Sequence, residues 1–370
     1  MLLKGTPFDN VTIQELAEQI EAKKRCQKKL PAWFTASNIY YPNKLNIEQT
    51  SSELTAAYKA NLISGKTVID TTGGFGVDAF YFSKHFDNVT HCELNPELSQ
   101  IAAHNYQQLN VSNIQTLAVD GIAFILNHKA TFDWIYIDPS RRHDSKGKVF
   151  FLKDCLPNVP EYLDDLFAHS NNILIKTSPL LDFSVGINEL NHVKSIHVVA
   201  VNNEVKELLW VLENNFKGDI EIKTANIKSE AIEKFDFYLT QEANSESDFS
   251  EPLAYLFEPN AAILKSGGFD SITQTFNVKK LHKHSHLYTS DVFIDFPGRC
   301  FEIETVFLYN KKALKYFGIK KANITVRNFP ESVQQIRKKL NIKDGGSTYL
   351  FFTTNLKNEK IGMLCKKSHF

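Results

Sequence analysis

The 370-residue sequence has no run of 18 apolar residues, which excludes a long apolar membrane-spanning helix. Its first residues do not read as a secretory signal, and they enter a helix abruptly, which leaves room for a preceding piece. Cysteine is sparse. Cys26, Cys92, Cys155, Cys300 and Cys365 are scattered and none forms Cys-x-x-Cys. Zinc and iron–sulfur sites are therefore not expected, and a reducing cytoplasm is. What remains is ordinary globular material, 43% apolar and 23% charged, long enough for two or three domains.

Net charge is also missing, but the zero hides an asymmetry. Residues 251–370 carry 19 Lys and Arg against 10 Asp and Glu, and residues 51–250 carry 16 against 27. A basic C-terminal third beside an acidic middle fits a polyanion-binding module joined to something else, or a solvated basic surface.

The most informative stretch is Val68-Ile69-Asp70-Thr71-Thr72-Gly73-Gly74-Phe75-Gly76-Val77-Asp78-Ala79. An apolar run ends in an acid, three glycines follow, and a helix-compatible segment begins. This is a strand, a tight turn and a helix start, with free N–H groups available to a ligand. Gly74-x-Gly76-x-x-Ala79 also fits a dinucleotide fingerprint, so the turn alone leaves the ligand open.

Strands and helices alternate from residue 67 to residue 200. The strand ends carry Asp70, Glu93, Asp120 and Asp138. Such alternation predicts a doubly wound, mostly parallel α/β sheet, whose ligands sit at the carboxyl ends of its strands. An acid after the second strand, Glu93, suits the two ribose hydroxyls of a bound nucleoside. Residues 204–214 are ambiguous between helix and strand.

Ahead of the sheet, Thr12 and Glu15 open a helix to Lys29, and Thr50 with Glu53 form a capping box for a second helix. The first ends in Lys28 and Lys29, close to Trp33. That cluster reads either as an RNA contact with a stacking aromatic or as a helix end over a buried indole. Behind the sheet, the C-terminal third predicts one helix over 261–276. A histidine-rich basic turn at 282–286 follows, then a strand over 302–309 and a strand–helix–strand unit whose helix ends in Lys338 and Lys339. The turn reads as solvated or phosphate-contacting rather than metal-binding.

These motifs resemble a known group. The Asp70-x-x-x-Gly74-x-Gly76 spacing is similar to the first motif of class I S-adenosylmethionine (SAM) methyltransferases. Residues 46–225 are similar in general plan to RNA guanine-N2 methyltransferases of the trimethylguanosine synthase type. Tyr255–Asn260, Ser285–Tyr288 and Lys343–Gly346 resemble the THUMP-like C-terminal domain found with such catalytic domains in bacteria. The resemblance implies a helical segment at 1–45, a methyltransferase domain at 46–242 and a THUMP-like RNA-binding domain at 243–370. It implies SAM as cofactor on Asp70, Thr72, Gly73, Gly74, Gly76, Glu93, Leu94, Asp120 and Gly121. It places acceptor chemistry at Asp138, Pro139, Ser140 and Arg141, with Arg142 beside them for RNA.

There the chain departs from the amino-methyltransferase pattern of acid or amide, Pro, Pro and aromatic. Ser140 replaces the second proline and Arg141 the aromatic. Asp-Pro-Pro-Arg belongs to uracil-C5 methyltransferases, which need a cysteine at the next strand tip. Here that tip is Lys176-Thr177-Ser178-Pro179. Direct transfer to a base nitrogen of rRNA or tRNA is therefore expected. A SAM-sensing RNA-binding protein without catalysis, or a nicotinamide oxidoreductase, is the alternative.

Overall fold

Val68-Ile69, Ile135-Tyr136-Ile137 and Ile173-Leu174-Ile175 are short apolar runs that need cover on both faces. The computed structural model, which describes residue 8 and residues 11–127, 129–141, 151–310 and 317–368, makes each of them a strand with nearly zero exposure. Two compact units are present, Met1–Ile196 with Lys206–Gly218, and His197–Val205 with Asp219–Phe370.

The first unit opens with four helices, α1 (Ile13–Lys29), α2 (Pro31–Thr35), α3 (Lys44–Gln49) and α4 (Glu53–Ala60). Alternation follows as β1 (Thr67–Asp70), α5 (Val77–Phe82), β2 (Asn88–Cys92), α6 (Pro96–Gln108), β3 (Ile114–Leu117), α7 (Gly121–Asn127) and β4 (Trp134–Ile137). Two short strands, β5 (Ser140–Arg141) and β6 (Cys155–Leu156), pair antiparallel. Then come α8 (Val159–Phe167), β7 (Asn172–Thr177), α9 (Phe183–Glu189), β8 (Val193–Val201), which belongs to the second unit from His197 onward, and β9 (Glu204–Glu213), which belongs to the first unit from Lys206 onward. The strand order β9-β7-β4-β1-β2-β3 is parallel except for β9. The chain steps from β1 to β2 on one side and later to β4 on the other, so the order reverses beside β1. Such a reversal opens a crevice above the strand ends. The ambiguous 204–214 segment is a strand because Leu208 to Trp210 and Leu212 need the cover that β7 provides.

Two helix starts refine the expected caps. Thr12 Oγ1 accepts from the Glu15 N–H at 3.1 Å, as the sequence implied. For α4 the cap is Ser52, whose hydroxyl accepts from the Thr55 N–H, while Thr50 ends α3. Glu53 instead accepts from the Ala32 N–H and the Tyr81 hydroxyl.

The second unit holds an antiparallel hairpin, β10 (Glu221–Ile227) and β11 (Ile232–Tyr238), then α10 (Leu239–Asn244). Next come β12 (Tyr255–Pro259), α11 (Ala261–Ser266), α12 (Ser271–Phe276), β13 (Lys279–Lys280), β14 (Tyr288–Ser290) and β15 (Gly298–Leu308). The chain finishes with β16 (Lys321–Val326), α13 (Val333–Leu340), β17 (Lys343–Thr354) and β18 (Lys360–Ser368). Seven strands form one sheet in the order β13-β14-β12-β15-β18-β17-β16. Ile336 of α13 packs with Ala322, Ile342, Leu350 and Phe352, and a separate cluster gathers Leu256, Phe301, Phe351 and Met363. The single helix expected over 261–276 is two. Gly267 takes φ +82, and the Glu242 carboxylate accepts from the N–H groups of Phe269, Asp270 and Ser271, which starts a new helix. Asp344-Gly345-Gly346 lies inside β17, where the pairing with β16 is irregular. No helix among the described residues is long and apolar enough to cross a membrane.

Candidate active site

β1 ends at Asp70, only 1% exposed, whose carboxylate accepts from the Thr72 N–H at 3.0 Å. Burial raises its pKa well above the carboxylate range. The Thr72 N–H opposes that rise, and the charges of Asp78, Asp138 and Glu93 add to it. The three glycines that follow do different things. A Cβ at Gly73 would lie 2.2 Å from the His91 ring, and one at Gly76, φ +86, would lie 2.1 Å from the Tyr106 hydroxyl. Gly74, φ +56, would meet nothing nearer than 3.9 Å, so it alone faces open space. A side chain at Gly73 or Gly76 would thus meet the protein itself. His91 is fully buried, and burial drops its imidazole to about 4.

Glu93 holds this turn. Its carboxylate accepts from Gly74 N–H at 2.8 Å and Asn95 N–H at 2.7 Å. Leu94 beside it is 71% exposed, and Val119 before Asp120 is 37% exposed. Asp120 accepts from the Ala123 N–H and so caps α7. Gly121 lies against the Thr71 backbone, where a Cβ would be 2.3 Å from the carbonyl oxygen.

At the end of β4, the Asp138 N–H donates to Thr72 Oγ1 at 2.7 Å, which joins the two strand ends. Lys176, from the end of β7, donates to Asp138 Oδ2 at 2.5 Å. Burial lowers the Lys176 pKa. The carboxylates of Asp138, Glu207 and Asp78 more than reverse that, so the ammonium stays charged. Pro139 is buried and Ser140 exposed. Ser140 and Arg141 pair with Leu156 and Cys155, and Arg142 lies outside the described residues. Asp70, Gly74, Glu93, Asp120, Asp138 and Lys176 line one cleft of about 860 Å³. That is the size of a nucleotide-scale ligand site.

Beneath the cleft lies a cluster that sequence reasoning missed. Lys59 is 0% exposed. It donates to both Glu207 oxygens at 2.9 Å and to Ser51 at 3.1 Å, and sits 3.2 Å from Asp78 Oδ1. Asp78 Oδ2 accepts from the hydroxyls of Ser51 and Tyr136, each at 2.8 Å. Lys59 and Glu207 are 148 residues apart, and neither belongs to a motif. The only local signal is a lysine in the small, mostly apolar run Leu54–Ala60.

The residues expected to contact RNA have different local surroundings. Trp33 is 0% exposed and packs edge-on against Phe80 at 4.8 Å, so its stacking role is corrected to that of a core anchor. Lys29 donates to the Ile47 and Glu48 carbonyls and so caps α3, while Lys28 is exposed. In the second unit Lys338 is exposed, and Lys339 pairs with Glu331 and lies over Tyr309. The histidine turn is drawn into local contacts. His282 bonds Asn328 and Asn358, and His286 stacks on Phe269 at 3.7 Å.

Comparison with known proteins follows the same division. Residues 255–297 match a family described as a ferredoxin-like domain, and residues 298–367 one described as THUMP domain-like. No curated protein matches. A solved structure from Porphyromonas gingivalis W83, described as a "putative methyltransferase", is 31% identical, with 98% of this chain and 93% of that chain covered and a TM-score of 0.90. Partial likenesses include TrmK of M. capricolum bound to S-adenosyl-homocysteine (15% identity, 44% of this chain, 69% of that chain, TM-score 0.35). Another is yhhF of Escherichia coli (19%, 44%, 85%, TM-score 0.32). At those scores neither bears on activity.

Proposed function

This chain belongs to the family of the Porphyromonas gingivalis protein, and we propose that it is a SAM-dependent methyltransferase acting on a base nitrogen of structured RNA, rRNA or tRNA. The observation that carries the reading is the convergence of four strand-end acids and one open glycine on a single cleft where the strand order reverses.

The residues fit the cofactor. Gly74 leaves space that any side chain would occupy. Glu93 uses one lone pair on each oxygen for backbone, which leaves acceptor capacity for ribose hydroxyls. Exposed Leu94 and Val119 offer apolar faces to a purine, with Asp120 beside them for its amino group. When bound, SAM supplies an electrophilic methyl group on a sulfonium. Asp138 takes the acceptor side. Its Oδ2 is held by Lys176, and Oδ1 has no hydrogen-bond partner among the described residues. Oδ1 can therefore accept from the acceptor's N–H and turn the nitrogen lone pair toward the methyl. Rate comes from that alignment rather than from a strong base. Buried Pro139 fixes the backbone here, and Ser140, Arg141 and Arg142 are assigned to the incoming base or its phosphate. The guanine amino group is the first acceptor to test, on the resemblance to trimethylguanosine-synthase-type enzymes.

Calorimetric titration with SAM and with NAD, then radiolabelled methyl transfer to total bacterial RNA with nucleoside digestion, tests the proposal. SAM binding and a labelled base are expected. NAD binding without SAM binding would overturn the cofactor, and SAM binding without transfer would favour the SAM-sensing alternative.

A further inference from the structure

The second unit buries one carboxylate and surrounds it with two arginines. Glu258, at the end of β12, is 3% exposed. Arg299 of β15 lies directly across from it in the antiparallel pair. Arg299 Nε donates to Oε2 at 2.6 Å, with its Nη2 also on that oxygen. Arg327, just past β16, takes Oε1 with Nη2 at 2.9 Å and Nε at 3.2 Å. The Arg299 Nη2 group also donates to Thr325 Oγ1 at 3.2 Å, and its guanidinium lies over the Phe301 and Phe351 rings.

A structural ion pair would need one arginine. The second leaves a net positive charge, and it does so at the surface, because the two side chains are 39% and 36% exposed. Nη1 of each arginine has no hydrogen-bond partner among the described residues. Two planar forks, each fixed on its inner edge by one carboxylate oxygen and each keeping an unused Nη1 group, form a preorganised receptor for an anion with several oxygens. More positive groups stand beside it. Asn328 donates to the His282 ring at 2.9 Å, which ties the turn bearing exposed Lys283 and His284 to the residue after Arg327.

We propose that Arg299 and Arg327, set by Glu258, form a clamp for a backbone phosphate of the RNA substrate. This rests on the RNA reading of the proposed function. The 19-to-10 excess of basic over acidic side chains across residues 251–370 favours a polyanion over an isolated anion.

The test uses full-length protein and fluorescently labelled bulk bacterial tRNA across a salt series. Removing both arginines alone would strand Glu258, so the variant is Glu258→Gln with Arg299→Gln and Arg327→Gln, its fold checked by hydrogen exchange. Affinity should fall at least roughly tenfold, and the slope of log affinity against log salt should fall by about 1, for the one phosphate that is no longer neutralised. A second variant, Arg299→Lys with Arg327→Lys, keeps every charge but loses the forks, and should bind between the two. If wild type does not bind tRNA at low salt, the RNA reading fails and the clamp with it. If wild type binds and the folded triple variant matches it in affinity and slope, the clamp is overturned while the RNA reading stands. Wild-type affinity in the double-lysine variant overturns the fork geometry.

Discussion

Each unit buries one charge between two of opposite sign, and the two clusters are near mirror images. In the first, Lys59 lies between Glu207 and Asp78, with side-chain exposures of 0%, 2% and 10%. In the second, Glu258 lies between Arg299 and Arg327, and the outer pair is more than a third exposed. The closed cluster spends its hydrogen-bonding capacity inward and fixes α4, α5 and β9 beneath the cleft. The open one directs unused donors to solvent. An ion cluster that is buried throughout is a scaffold, whereas one half-exposed with unspent donors is a receptor. Asp138 with Lys176 is intermediate, at 29% and 15% exposed, and it lines the cleft itself.

The sharpest way to break this contrast is to remove the central charge of each cluster. Lys59→Met leaves two buried carboxylates uncompensated and should cost about 3–5 kcal/mol. Glu258→Gln leaves arginines that water can reach, and should cost about 1.5–3 kcal/mol, the worth of hydrogen bonds to a charged group. All three tryptophans, Trp33, Trp134 and Trp210, belong to the first unit, so their fluorescence follows its unfolding in urea. Hydrogen exchange in β12 and β14 reports the second unit. Equal costs would mean that the two clusters play the same part.

The intermediate pair should separate chemistry from stability. Asp138→Ala should reduce methyl transfer to RNA by roughly 10²-fold, which is about 2.7 kcal/mol of transition-state stabilisation, and leave SAM affinity within a few-fold. Single-turnover transfer alongside calorimetry measures both. Full turnover would move the acceptor pocket away from β4.

How far these regions were legible in the sequence follows the same line. The parallel sheet was legible because its strands are buried on both faces, so periodicity and apolar runs report them directly. Placing the four acids on one sheet edge needed only strand ends and connection order. The Lys59 cluster was not legible, because a pair separated by 148 residues has no local pattern. Nor was the burial of Trp33, since a basic helix end beside an aromatic looks the same whether the ring faces water or Phe80. The break at Gly267 was hidden because its cause, the Glu242 carboxylate, lies outside the segment it divides.

A smaller effect is expected at Glu93. Its loss frees two backbone N–H groups as well as removing the proposed ribose acceptor, so Glu93→Ala should weaken SAM by roughly 1–3 kcal/mol. Unchanged affinity by calorimetry would put the ribose elsewhere.

The smallest effect on stability should come from Gly74→Ala, and it tests whether open space in the first unit is there for a ligand. The added methyl group meets no protein atom closer than Thr72 O at 3.9 Å. Its cost in the free protein is therefore the left-handed backbone at φ +56, about 1–2 kcal/mol. Yet the methyl group points into the cleft, so SAM affinity should fall by roughly tenfold or more, because the turn backbone can no longer be approached closely. Gly298→Ala in the second unit is the counterpart. There a Cβ would stand 2.1 Å from Glu258 O, so the strands β12 and β15 must part and the Glu258–Arg299 pair with them. One glycine leaves open space, proposed for the cofactor, and the other keeps two strands together. Calorimetry with SAM and urea unfolding on both variants read the difference. A Gly74→Ala protein that loses about 1 kcal/mol of stability and still binds SAM as wild type does would mean that the open side of this turn is not where the cofactor lies.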